Sequence, residues 1–258
     1  MTTRPEDLWE RGAETYANAF DGLVTKAIDP TLDAAKVSSG TKLLDVATGP
    51  GLIAAAAHRR GSTAIGTDFA KKMIDSARKE NPELRFEVAD AIELPFGDRS
   101  FDAVTMGFAL FMLLEPDKAL NEALRVLKPG GRFAASLWDW PVPGFDLFYG
   151  PMGQYIEEEM LPGGPPLMSE SDPSVLSSVL TNAGFVGVQV ERLPVIWELD
   201  DANKLFDALA SLRDLDGLTP QDMESFRKDV ISSVNGLDNC VPFPMLVVSG
   251  EKPADANL

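Results

Sequence analysis

The sequence predicts an α/β protein: a mostly parallel, doubly wound, seven-stranded sheet with helices on both faces. Two observations carry this expectation. Short apolar runs alternate with amphipathic helical stretches between residues 42 and 138, as a parallel sheet joined by helical crossovers requires. Two further strand patterns, near residue 190 and at 245–249, complete the sheet.

The elements follow in order. Trp9, Ala13, Tyr16, Phe20 and Val24 recur three and four apart, which places them on one face of an opening helix. Pro30 breaks that pattern, a short helix covers Thr31 to Val37, and Ser38-Ser39-Gly40 is a loop. Lys42 to Ala47 is a strand that Gly49-Pro50-Gly51 turns into an Ala-rich helix over Leu52 to Arg60. A second strand, Thr63 to Thr67, ends at Asp68. A helix over Lys71 to Lys79 stops at Asn81-Pro82. Arg85 to Val88 is the third strand, ending near Asp90, and Ala103 to Met106 the fourth. Leu120, Ala123, Leu124 and Leu127 mark an amphipathic helix, which Lys128-Pro129-Gly130-Gly131 ends before a fifth strand from Arg132 to Trp138. Residues 139–172 then loosen into a segment rich in Pro, Gly, Met and aromatics. A helix over Pro173 to Ala183 is closed by Gly184, and Val186 to Arg192 alternates like a strand. One later helix carries Leu205, Phe206, Leu209 and Leu212. Another opens with Thr219 as cap and Pro220 at its first position. Met245 to Ser249 is the last strand. Right-handed crossovers make the Rossmann-like topology the expected one.

Composition excludes several functions. The chain has 258 residues, with 23 Lys and Arg against 40 Asp and Glu, a net charge of −17. A chain of this length buries a core without disulfides or metals. A single cysteine, Cys240, excludes an intrachain disulfide, and with a single histidine, His58, it excludes a Cys/His zinc cluster. Glu157-Glu158-Glu159 occupy consecutive helix positions that point apart, a solvated face rather than a metal site. The acidity argues against nucleic acid and anionic membranes as partners. No apolar stretch is long enough for a membrane span, and MTTRPEDLWERG has no apolar signal core, so a cytoplasmic protein is expected.

The chemistry concentrates at strand ends. Gly49 and Gly51 allow close backbone approach at a helix N-terminus, whose N–H groups suit an anionic ligand group. Taken alone, this segment is equally a plain strand-to-helix turn. Asp68 ends the second strand, where such folds place a carboxylate on ribose hydroxyls. Asp90, after the third strand, can accept from an exocyclic amine. A helix cap and a loop-opening turn are the simpler readings of these two residues.

The blocks LLDVATGPG at 43–51, GTDFAKKMIDSAR at 66–78, FEVADAIELPFGDRSFDAVTMGFAL at 86–110 and EALRVLKPGGRF at 122–133, in this order, resemble the class I S-adenosylmethionine-dependent methyltransferases. The likeness is greatest to the small-molecule branch that includes ubiquinone/menaquinone-biosynthesis enzymes. The resemblance implies S-adenosylmethionine as cofactor, with S-adenosylhomocysteine as product. It implies that Asp45, Ala47, Gly49 and Gly51 shape the pocket for the methionine moiety, and that Asp68 holds the ribose. Phe69 would line the adenine, Asp90 and Ala91 would meet its edge, Met73 and Ile92 would also bind the cofactor, and Met106, Gly107 and Phe108 would close on the methionine end. Tyr16 and Phe20 would cover the cofactor. Phe111 stands where many relatives carry a histidine, so no base is expected there, and no catalytic residue is assigned. The organisation implied is one domain over 1–258: a helical cap at 1–40, a cofactor-binding core at 41–138, an aromatic lid at 139–172, and C-terminal strands at 173–253 with a helical insert at 201–236.

Phe111, Trp138, Trp140, Phe145 and Tyr149, with Phe148 and Met152, are the candidates for an apolar substrate pocket, which suits a lipophilic or aromatic small molecule. The insert at 201–236 is a candidate either to cover that pocket or to form a homodimer contact. Two other readings stand beside methyl transfer. One is an NAD-type oxidoreductase, against which Asp45 tells. The other is a methyltransferase fold that binds cofactor or an apolar ligand without methylating, such as a cyclase or accessory subunit.

Overall fold

The computed structural model describes residues 20, 22–155, 172–211, 215 and 217–255. Its main sheet has seven strands: β1 (Lys42–Val46), β2 (Thr63–Asp68), β3 (Arg85–Val88), β4 (Phe101–Gly107), β5 (Leu127–Trp138), β6 (Val186–Leu193) and β9 (Met245–Glu251), ordered β3-β2-β1-β4-β5-β9-β6. The pairs from β3 to β5 are parallel, while β9 runs antiparallel to both β5 and β6. Two short strands, β7 (Ile196–Glu198) and β8 (Cys240–Pro242), form a separate antiparallel pair. Strand order reverses between β1 and β4, so the crevice outside their carboxyl ends is where a ligand is expected.

The helices α1 (Ile28–Ala34), α2 (Leu52–Arg59) and α3 (Lys71–Glu80) come first in the chain, followed by α4 (Pro116–Val126) and α5 (Pro143–Met152). The last three are α6 (Pro173–Asn182), α7 (Asn203–Ala210) and α8 (Pro220–Asn235). β1 shows why the sheet carries helices on both faces. Leu43 packs into a cluster with Ala54, Ala57, Ile74 and Phe86, whereas Leu44 and Val46 join the opposite cluster around Phe133 and Leu137. Alternate residues point to opposite faces, and here both faces are apolar.

Several boundaries differ from the expectation. Pro30 does not break a helix but sits in the first turn of α1, where a missing N–H costs nothing. The Lys128–Gly131 stretch is not a separate turn. β5 starts at Leu127, which pairs with Phe101 before a register shift, and Lys128 Nζ donates to Asp102 at 2.6 Å. The segment after Trp138 is not all irregular, because α5 occupies 143–152. The pair β7–β8 is too short to show a period. α8 has the expected cap, Thr219 Oγ1 accepting from the Asp222 N–H at 3.1 Å, and α6 is capped by Asp172, whose Oδ1 accepts from the Ser174 N–H at 2.7 Å. Residues 1–19 of the opening helix, the Glu157–Glu159 run and Leu212 lie outside the described residues.

Candidate active site

The ends of β1 to β5 enclose a cavity of about 400 Å³, within the range of pockets that hold cofactor-sized molecules. The turn after β1 shapes its floor. Ala47, Gly49 and Gly51 all take positive φ, at 52°, 55° and 88°. Gly49 faces the cavity, and a Cβ there would meet no atom within 4 Å. Gly51 does another job: a Cβ there would come 2.8 Å from Phe86 Cζ, so this glycine lets α2 pack on the sheet and is not part of the cavity wall.

Asp45 lies at the cavity floor and is 1% exposed. Its carboxylate accepts from Thr48 Oγ1 at 2.5 Å and from Thr105 Oγ1 at 2.8 Å. Burial pushes its pKa from 3.8 up to about 6, and the hydroxyl hydrogen bonds limit the rise. Asp68 braces two turns at once, since Oδ2 accepts from the Gly49 N–H and Oδ1 from the Ala70 N–H, both at 2.9 Å. Asp90 caps its own loop by accepting from the Ile92 N–H at 3.1 Å.

Of the residues singled out in the sequence, Asp45, Ala47, Gly49, Asp68, Phe69, Met73, Asp90, Ala91, Ile92, Gly107 and Phe108 meet at this cavity. Met106 points the other way and is core. Phe20 is also core, stacked on Trp197 with ring centres 6.1 Å apart, and Val24 and Ile28 line the cavity in its place. Tyr16 lies outside the described residues. The five aromatics assigned to a substrate pocket are not on the wall among the described residues. Phe111 is core, while its neighbour Met112 faces the cavity. Trp138 packs between Phe145 and Phe243 at 5.2 and 5.7 Å, Trp140 lies 5.2 Å from Phe145, and Tyr149 lies 6.1 Å from Phe145. Trp138, Phe145 and Phe243 pack mutually, and Trp140 and Tyr149 lie against Phe145. Phe108, 4.6 Å from Trp138, is the ring of this stack that reaches the wall. His58 is exposed on α2, away from the cavity.

The structure adds wall residues that sequence reasoning missed, chiefly Thr48, Glu115 and Ser136. Among the described residues, the titratable side chains of the wall are Asp45, Asp68, Asp90 and Glu115, all acidic, with no lysine, arginine or histidine. That donor set fits a cationic ligand with hydroxyl and amine donors. No side-chain cation of the described wall would face the pyrophosphate of a dinucleotide. S-adenosylmethionine carries a sulfonium, a ribose diol and an exocyclic amine, and the residues present therefore fit it. Among the described residues no group of His, Cys, Asp and Glu is placed to hold a metal ion, and no helix is long and apolar enough to cross a membrane.

Fold and site together define a methyltransferase. A methyltransferase-domain family matches residues 44–135. A demethylmenaquinone methyltransferase of Clavibacter sepedonicus is 35% identical over 191 residues, covering 66% of this chain and 72% of that protein. A ubiquinone/menaquinone biosynthesis C-methyltransferase of Desulfotalea psychrophila is 40% identical over 188 residues, again covering 66% and 72%. With two further demethylmenaquinone methyltransferases the match spans 44% and 59% of their length. The fold is shared with phosphoethanolamine N-methyltransferase 2 of Haemonchus contortus in complex with S-adenosyl-L-methionine. That match has a TM-score of 0.63 at 17% identity and covers 98% of this chain and 60% of that one. The chain belongs to the class I S-adenosylmethionine-dependent methyltransferases of the ubiquinone–menaquinone type, and S-adenosylmethionine is its cofactor.

Proposed function

We propose that this enzyme methylates a quinone-type small molecule in its reduced, electron-rich form. The observation that carries the reading is the wall itself: four carboxylates and otherwise apolar or small residues, with no cation to hold a polyanion. The names of the relatives point to the same class of acceptor.

In this reading Asp45, Ala47 and Gly49 hold the methionine end, Asp68 the ribose, and Phe69, Asp90, Ala91 and Ile92 the adenine. Bound S-adenosylmethionine supplies an electrophilic methyl group on a cationic sulfonium. The chain contributes position and exclusion of water. Phe108, Met112 and Leu113 give one side of the cavity an apolar wall that keeps a flat ring in place. Holding nucleophile and methyl in line accounts for most of the acceleration available here. The same reading makes the chain one cytoplasmic domain that is capped near Val24 and Ile28 and whose partner is a small molecule rather than nucleic acid.

The test is transfer of labelled methyl to a reduced, demethylated naphthoquinone under nitrogen. Label is expected in the ring, and Asp68→Ala is expected to weaken S-adenosylhomocysteine binding about tenfold, the scale of a lost charge-assisted hydrogen bond. Tight S-adenosylhomocysteine binding with no label in any of a panel of reduced quinones would refute the acceptor class.

A further inference from the structure

Ser136 is 1% exposed, belongs to the cavity wall, and its hydroxyl has no hydrogen-bond partner among the described residues. Buried hydroxyls are nearly always paired, and one left unpaired beside a cavity marks a place where a ligand atom completes the bond. The local fold keeps this spot adaptable. Ser136 pairs in register with Gly107 of β4. A methyl at Gly107 would stand 2.7 Å from Ile53 Cδ1 and 3.7 Å from Ser136 Oγ, so the space here is bounded by the tip of one aliphatic side chain and the hydroxyl. The serine turns about a single side-chain bond between staggered positions, and the isoleucine tip does the same.

Position says which ligand is met. Across the sheet the wall runs from Asp90 after β3, through Asp68 and Asp45, to Gly107 and Ser136. The proposed function uses the β3, β2 and β1 ends for adenine, ribose and methionine. That leaves the β5 end, opposite the adenine, for the methyl acceptor. Resting on that reading, we propose that Ser136 is a specificity-determining residue whose hydroxyl pairs with a ring oxygen of the acceptor. It would select an aromatic diol over an unsubstituted ring.

The experiment measures dihydroxynaphthalene and naphthalene binding to the S-adenosylhomocysteine-saturated protein under nitrogen. Wild type is expected to favour the diol by about tenfold, the worth of one buried hydrogen bond. Ser136→Ala is expected to abolish that preference while keeping wild-type affinity for S-adenosylhomocysteine, and Ser136→Thr to restore it. A diol preference that survives in Ser136→Ala overturns the assignment and leaves the quinone reading standing. Equal binding of the two rings by wild type overturns it as well. Weakened S-adenosylhomocysteine binding by Ser136→Ala overturns it by giving the hydroxyl to the cofactor. If wild type holds S-adenosylhomocysteine but binds neither ring, the assignment falls together with the acceptor class.

Discussion

At the scale of the residue, Asp45 shows a site bought with stability. Its pKa of about 6 lies above the ordinary 3.8 because burial disfavours the charge. Between those values the folded chain holds the proton more tightly than the unfolded chain. The contribution of Asp45 to stability is therefore largest below about pH 4 and is lost as pH rises through about 6. Asp45→Asn is expected to raise urea stability at pH 8 by about 2 kcal/mol, less than the full shift implies because one threonine hydroxyl loses its acceptor. The gain should vanish below about pH 4, and cofactor affinity should fall at every pH. An equal gain at both pH values would mean that charge burial is not the cause. The strand-end acids were legible in the sequence because each sits where an apolar run stops. The second duty of Asp68, bracing the Gly49 and Ala70 N–H groups, was not legible, since a ribose ligand and a backbone brace ask for the same residue at the same place. Thr105 and Ser136 were hidden for a different reason: a lone hydroxyl inside an apolar strand looks like a tolerated core residue.

At the scale of the element, α5 was the main omission. Pro143, Gly144 and Pro151 read as breakers, yet the first two have a helical use. Pro143 opens the helix, where its N–H is not needed, and Pro151 falls in its last turn. Gly144 permits close approach, since a Cβ there would come 2.1 Å from Phe243. The helix drives Phe148 between Phe226 and Phe206, with ring centres 4.9 and 5.6 Å away. Phe148→Ala should cost about 3–5 kcal/mol in urea unfolding, because α7 and α8 cannot close over the space. S-adenosylhomocysteine affinity measured well below the transition should stay within about twofold, as Phe148 does not line the cavity. A large loss of affinity would show that this helical layer and the cofactor end are coupled. The βα repeat from β1 to β3 was legible nearly to the residue, because short apolar runs give way to helical periodicity, whereas β4 and β5 begin before the expected Ala103 and Arg132. The aromatics after Trp138 were read as a wall because strand ends and cavity lie close together. Phe243, which packs against Trp138 and Phe145, is distant in sequence, and no local pattern announces it.

At the scale of the whole molecule, the net charge of −17 and the acidic wall act together on charged ligands. S-adenosylmethionine is a cation overall and S-adenosylhomocysteine is neutral. Raising salt from about 0.05 to about 0.5 M should weaken binding of the first about threefold and leave the second within about twofold. Calorimetric titration of both ligands at the two salts checks this, and parallel responses would show that the carboxylates do not act through their charge. The parallel half of the sheet and its crossovers follow from local pattern. The excursion between β6 and β9 does not, because its residues pack on one another rather than against a repeating frame. That excursion leaves β6 at its carboxyl end and returns to β9 beside Trp138, so its described residues stand at the cavity side of the sheet without interrupting any strand from β1 to β5. For the lineage this is a division of inheritance. The part of the gene that encodes the cofactor end answers to the cofactor, while the later excursion answers to the core it packs into. Among the described residues none of 194–244 lines the cavity, so change there leaves the methyl-donor site as it is.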